Sequence, residues 1–336
     1  MKLDGEKGVI NHYLVNLENR RFSVHTQVAY RHSLLVMVRL LADLCDVTDI
    51  EQVDILCLRR CVQHLLNVPL EVKKSRRPPE NGSTLSPSAV RSYIRRWKAF
   101  FSWCFKEELI EKSPATRLEF PQVDEKVIDT FSKEQIEQMF AVFDLSTPAG
   151  FRDYVVIVLM IDTGLRRSEV ARLCVEDVHE TYISVFGKGR KERQVGIHPK
   201  VSNLLWRYIH KYRHPAISSE TALFLSVGNG HAGLSFGRGG MQGLIRRLKV
   251  ATGIDDVRLS AHTFRHTFAC MYLEEGGDLF SLSRELGHKS IKTTEKYLKS
   301  FTSKNARMHH NDHSPINSIE LRSQRKGKGK SRKFKE

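Results

Sequence analysis

At 336 residues the chain has room for about two domains, on a prior of roughly 100–200 residues each, and 40% hydrophobic residues suffice for ordinary globular cores. A formal net charge of +16 points to a polyanionic partner. Nucleic acid comes before a membrane, because no apolar run approaches the roughly 20 residues of a spanning helix.

The first 118 residues read as helical. The N-terminal Met-Lys-Leu-Asp-Gly-Glu-Lys-Gly has no apolar region of a secretory signal, so none is expected. Gln27 to Leu44 carries apolar residues at helical spacing, with Ser23 or Thr26 as cap. A second helix runs from Ile55 to Leu66 and ends at Pro69. Residues 71–84 are charged and rich in breakers, the composition of a surface loop. Ser86-Pro87-Ser88 opens a strong helix through about Lys106, with Val90, Ile94, Trp97, Phe101 and Phe105 as its inward stripe. A short helix is expected around Leu109, before Pro114. Residues 119–130, without sustained period, read as a linker.

Beyond the linker, Ser132 and Gln135 form a capping box, and Phe151 to Ile161 is apolar on nearly every position, a central buried helix stopped by Gly164. Tyr182–Phe186 and Glu192–His198 alternate as strands around a Gly187–Lys191 turn. Helices follow at 200–212, 241–252, 262–275, 279–286 and 290–299, with a glycine-rich loop at 226–240. Residues 321–336 form a basic, apolar-poor tail, expected to be disordered when free. The fold class is mainly α: an N-terminal helical bundle, then an α+β domain with a small antiparallel sheet. The six cysteines are scattered, and no second pair at zinc spacing accompanies Cys57 and Cys61, so buried thiols in a reducing cytoplasm are expected.

Several residues carry chemistry. Arg166 and Glu169 lie three apart, so on a helix they share a face; this is the spacing of a surface ion pair, or of a guanidinium oriented to grip phosphate. Lys188 sits in Gly-Lys-Gly, an ordinary hairpin turn, from which a lysine also reaches a cleft to donate a proton. The phosphate-loop spacing is absent. His262, Arg265 and His266 fall in one run; His262 and His266 have the spacing of a zinc helix, but position 263 is Thr rather than the required Glu. Leu286-Gly287-His288 and Tyr297 follow. Cations, imidazoles and one phenol suit attack on a phosphodiester without a metal ion.

In this order, Arg166, Lys188, His262-x-x-Arg265, Leu286-Gly287-His288 and Tyr297 resemble the tyrosine recombinase (phage integrase) family, especially its Xer-like bacterial members. The resemblance covers about residues 128–300 and, on less, residues 8–112. It implies a SAM-like core-binding domain over 1–118, a linker at 119–130, a catalytic domain of the DNA breaking-rejoining fold over 131–308 and a basic tail at 309–336. It implies that Tyr297 forms a 3′-phosphotyrosyl link and releases a 5′-hydroxyl. Arg166 and Arg265 would hold the non-bridging oxygens, Lys188 would protonate the leaving oxygen, His262 would handle the phenol proton and His288 would support the transition state. No cofactor, metal or ATP is expected, since one phosphoester replaces another. The expected partner is double-stranded DNA with inverted-repeat sites, gripped in a C-shaped clamp within a homo- or hetero-tetramer, residues 300–320 docking on a neighbouring subunit.

On the helix from Ser88, Arg91, Arg95, Arg96 and Lys98 are candidate DNA contacts, with a solvated face as the alternative; Tyr30, Arg31, Thr26 and His32 are lesser candidates. The tail adds salt-sensitive affinity or binds a partner. Two other functions fit part of the pattern: a type IB topoisomerase-like swivelase and a noncatalytic DNA-binding regulator.

Overall fold

The computed structural model describes residues 1–5, 7–68, 84–123, 129–187, 192–228 and 230–300, with backbone only at 299 and 300. Residues 71–83 of the expected loop, the hairpin tip with Lys188, and the basic tail lie outside the described residues. The chain forms two compact units, Met1–Glu125 and Lys126–Glu336.

The first unit is built from α1 (Val9–Asn19), α2 (Val24–Cys45), α3 (Ile55–Asn67) and α4 (Pro87–Lys106). Each of the last three starts where a side-chain oxygen accepts an otherwise orphaned backbone N–H: Ser23 from Thr26, Asp54 from Cys57, Ser86 from Ala89. Along α4, Val90, Ile94, Trp97 and Phe101 are buried as their spacing predicts, joined by Tyr93, Phe100 and Cys104. Phe105 is a correction: it is 51% exposed, because the inward ridge passes through Cys104 in the last turn. The buried Trp97 indole donates to the Ser33 carbonyl at 3.0 Å and ties α4 to α2. The short helix expected near Leu109 does not form. Glu108 adopts φ +56°, and Leu109 turns its N–H back to the Cys104 carbonyl.

In the second unit, α5 (Lys133–Ala141) carries the expected capping box between Ser132 and Gln135. α6 (Pro148–Thr163) is the central helix, with Phe151, Val155, Val156, Ile157, Leu159 and Met160 buried. α5, α8 (Pro199–Lys211) and α10 (Ala261–Glu274) pack against it. A buried ion pair joins its Arg152 to Asp153 at 2.6 Å; Asp153 also takes Arg247 of α9 (Gly237–Thr252) at 2.7 Å. The glycine-rich loop is therefore shorter than expected, since α9 starts at Gly237. Gly164 stops α6 at φ +58°, where an added Cβ would meet the Phe268 ring at 2.4 Å.

After α7 (Arg167–Val170), β1 (Tyr182–Phe186) pairs antiparallel with β2 (Glu192–Gly196), in the register Tyr182 opposite Gly196 and Phe186 opposite Glu192. The second strand ends two residues early because His198 becomes the cap of α8. The described residues close with α11 (Leu279–Glu285), α12 (Lys292–Glu295) and a tighter 3-10 turn at Lys296–Ser300. The single helix expected over 290–299 is thus divided. The tighter winding lies against α10, with Tyr297 in an apolar cluster with Ala269, Cys270, Leu273, Leu282 and Leu286.

Candidate active site

Arg166 follows Gly164 at the end of α6 and is the N-cap of α7. Its backbone N–H donates to Glu169 Oε2 and its Nη1 to Oε1, both at 2.9 Å. A second cation shares this carboxylate: Arg193 of β2 donates to both Glu169 oxygens at 3.0 Å and, from Nε, to the Glu285 carbonyl at 3.0 Å. Burial acts to raise the Glu169 pKa, but the hydrogen bonds from Arg193 and the Arg166 backbone hold it below the usual carboxylate range. The carboxylate is 3% exposed and the Arg166 side chain 39%, so the anion is sunk while a guanidinium face stays open.

Arg265 lies on α10, one turn past the Ser260 cap. Its Nη1 donates to the Gly164 carbonyl at 2.9 Å and its Nη2 to the Leu286 carbonyl at 2.6 Å. These carbonyls close α6 and α11, where helix dipoles place partial negative charge, so a buried cation is held there by two helix ends. Burial and Arg166 bring its pKa down to about 10, which leaves it charged at neutral pH.

Nη2 of Arg265 also lies 2.9 Å from His288 Nε2. An arginine only donates, so Nε2 accepts, and His288 carries its hydrogen on Nδ1, 2.8 Å from Thr294 Oγ1. Burial, Arg265 and Arg166 lower the His288 pKa to about 4. Gly287 makes the approach at φ +62°; a Cβ there would sit 2.9 Å from Arg193 Nε.

Tyr297 is 1% exposed, and its Oη lies 3.2 Å from Nδ1 of His266. Burial raises the phenol pKa, while the charge of Arg265 and a hydrogen bond from it, with the charge of Arg166, work to lower it. Lys296 stands 4.9 Å from the centre of the Tyr297 ring. His262 is exposed in the first turn of α10; partial burial and the charges of Arg265, Lys296, Arg166 and Arg167 lower its pKa. The result is a cluster of cations and uncharged imidazoles around one phenol. It can receive an anion and spread its charge over two fixed guanidinium groups.

Arg166, His262, Arg265, His288 and Tyr297 therefore meet, although 131 positions separate the first from the last. Lys188 lies outside the described residues. Other participants were not singled out from the sequence. Arg193 had a usable signal, since it alternates inward with Val195 as a charge at a core register position. Buried Thr294 had none. His266 stands in the same run as Arg265, where spacing alone offers it only a zinc-helix role. Among the described residues no group of three or more His, Cys, Asp or Glu is placed to hold a metal.

The candidate DNA contacts in the first unit divide. Arg95 and Arg31 are exposed, and Arg96 is half-buried. Lys98 donates to the Thr116 carbonyl at 3.0 Å, and both it and Arg91 lie 5.4 Å from the Phe120 ring centre. Tyr30 packs edge-on to Tyr13, and His32 meets the Tyr93 hydroxyl at 3.1 Å. Thr26 serves the Ser23 cap.

Residues 129–304 match the phage integrase family. Tyrosine recombinase XerD of Staphylococcus epidermidis (strain ATCC 35984) is 29% identical over 294 residues, covering 86% of this chain and 92% of that protein. XerD of Lacticaseibacillus casei is 33% identical over 221 residues, 64% of this chain and 73% of that one. Two solved structures share the fold. XerH site-specific recombinase, bound to palindromic difH substrate in a post-cleavage complex, aligns with TM-score 0.67 and 18% identity over 89% of this chain and 84% of that chain. The Tn1549 transposon integrase, in complex with transposon right end DNA, aligns with TM-score 0.67 and 18% identity over 93% and 99%.

Proposed function

Because this chain belongs to the phage integrase family, it is a tyrosine-type site-specific DNA recombinase, and we propose that Tyr297 is the nucleophile with which it cuts and rejoins double-stranded DNA. The observation that carries this assignment is the phenol held beside Arg265 and among uncharged imidazoles, in a field of further cations. The swivelase and regulator readings are not favoured by these relatives.

In the proposed reaction the phenol oxygen attacks a phosphate held by Arg166 and Arg265. As the phosphorus becomes pentacoordinate, its oxygens gain negative charge, and fixed donors stabilise that state more than the ground state. Glu169 and Arg193 keep Arg166 in place, and His288 braces Arg265. Lys188 gives a proton to the leaving 5′-oxygen. The 3′-phosphotyrosyl link conserves the phosphoester bond, and a 5′-hydroxyl from a second strand displaces the phenol to complete the exchange. Inverted-repeat sites, a tetramer of identical or paired subunits, and a core-binding role for residues 1–118 complete the reading. Work in the cytoplasm suits six cysteines without a disulfide among the described residues. Among the described residues no helix is long and apolar enough to cross a membrane.

The decisive experiment traps the covalent adduct on a nicked suicide duplex, in EDTA, on a denaturing gel. Wild-type protein should shift the labelled strand, while Tyr297→Phe should bind the same duplex and give no adduct. An adduct that persists in the Phe variant removes Tyr297 from the mechanism.

A further inference from the structure

We propose that His266, rather than His262, takes the proton of the Tyr297 phenol as its oxygen bonds to phosphorus, an inference that rests on Tyr297 being the nucleophile. The contact is direct, with Nδ1 at 3.2 Å from Oη, ring centres 5.4 Å apart and rings tilted by 58°. In the tautomer with its hydrogen on Nε2, His266 accepts at Nδ1. The charge of Arg265 beside the phenol favours loss of its proton. The phenol has a single hydrogen, and Nδ1 is the ring nitrogen beside it.

The charge state agrees. Burial first, then Lys296, His262 and Arg265, bring the His266 pKa down to about 4, so its lone pair is open at neutral pH. Among the cations that depress the imidazole, Arg265 also receives the phosphate. When an anionic phosphodiester settles among them, their effect on His266 is partly cancelled, and the base strengthens as the substrate arrives. His266 follows Arg265 directly on α10, so the group that neutralises the phosphate and the group that frees the nucleophile move as one body.

The proton balance closes over both half-reactions. In cleavage the Oη–H bond breaks, the Oη–P bond forms and the P–O5′ bond breaks. His266 becomes imidazolium, and the Lys188 ammonium supplies the proton to the leaving 5′-oxygen. In rejoining, a 5′-hydroxyl passes its proton to the neutral Lys188 amine and attacks phosphorus. The departing phenolate recovers its proton from His266.

The test is single-turnover cleavage of the suicide duplex. His266→Ala should cleave about 10²–10³-fold more slowly, the range of a lost general base, with duplex affinity and thermal unfolding close to wild type. His266→Asn, which holds the phenol by a hydrogen bond but does not take its proton, should be equally slow. Replacing Tyr297 by a fluorinated tyrosine with a more acidic phenol should restore most of the loss in either variant. A duplex with sulfur in place of the bridging 5′-oxygen, whose thiolate leaves without a proton, should rescue Lys188→Ala but not His266→Ala. Wild-type speed from either His266 variant, or slow variants that the acidic phenol fails to rescue, overturns the proposal and leaves His266 a packing group. The Tyr297→Phe control separates the two levels. If its adduct persists, the nucleophile assignment falls and takes this inference with it. If the adduct is lost while the His266 variants cleave normally, only the inference falls.

Discussion

Glu169 is an anion enclosed by two guanidinium groups, and its substitution tests how far the site depends on what lies beneath it. Glu169→Gln keeps the shape and removes the charge, leaving Arg193 and the backbone of Arg166 with a weaker acceptor. Breaking a buried pair by removing one partner costs about 3–5 kcal/mol, and the exposure of Arg166 places the expected loss at the lower end, near 3 kcal/mol by urea unfolding at pH 7. The folded-state pKa of Glu169 is depressed, so this stability is complete above the unfolded carboxylate pKa and disappears as pH falls through the folded value. Wild type and variant should therefore converge in acid. His266 and His288 work over a different window. Their folded pKa values of about 4 lie below the ordinary 6.5, so between those values the unfolded chain binds more protons and stability rises with pH. The urea midpoint should climb over that interval, and His266→Asn should flatten the climb. Arg166, Arg265, His288 and Tyr297 were legible in the sequence as a set of charge types in order. The rank of one histidine over its neighbour four positions away was not, because it depends on which ring the phenol meets.

Two helix ends hold the central cation, so the elements of the second unit act on the site through their termini. Arg265 ties the last carbonyl of α6 to that of α11, and Gly287 carries the chain from α11 to His288 in a left-handed turn. Gly287→Ala adds backbone strain of about 1–2 kcal/mol and drives a Cβ against Arg193. Single-turnover cleavage should fall at least about tenfold, the worth of 1.36 kcal/mol in the barrier, while affinity for the same duplex changes little. Much of this level could be read in advance. Ser86, Ser132 and Gly164 end or start helices where the sequence predicts, because caps and left-handed stops act between near neighbours. The miss at Phe105 and the divided helix before Tyr297 have another origin. There the partner surface, rather than the local period, chose which side chains turn inward.

A surplus of sixteen positive charges makes affinity for DNA steeply salt-dependent, since each phosphate neutralised releases counterions. The first unit distributes its cations unequally. Arg95 is open to solvent, whereas Lys98 is already bound to the Thr116 carbonyl and the Phe120 ring. Arg95→Ala should lower the salt slope of duplex binding by about one, and Lys98→Ala should change it less; fluorescence anisotropy across a salt series measures both. Composition, charge order and helical periodicity established a basic, mainly α-helical protein with side chains suited to phosphodiester chemistry, since these are properties of residue type and of contacts between near neighbours. Long-range packing settled how those groups pair: Arg193 beneath Arg166, Arg265 across two helix ends, and His266 against Tyr297, 31 residues away. Such pairings depend on where separate elements come to rest in the core, and burial then sets which group carries charge and which holds a lone pair.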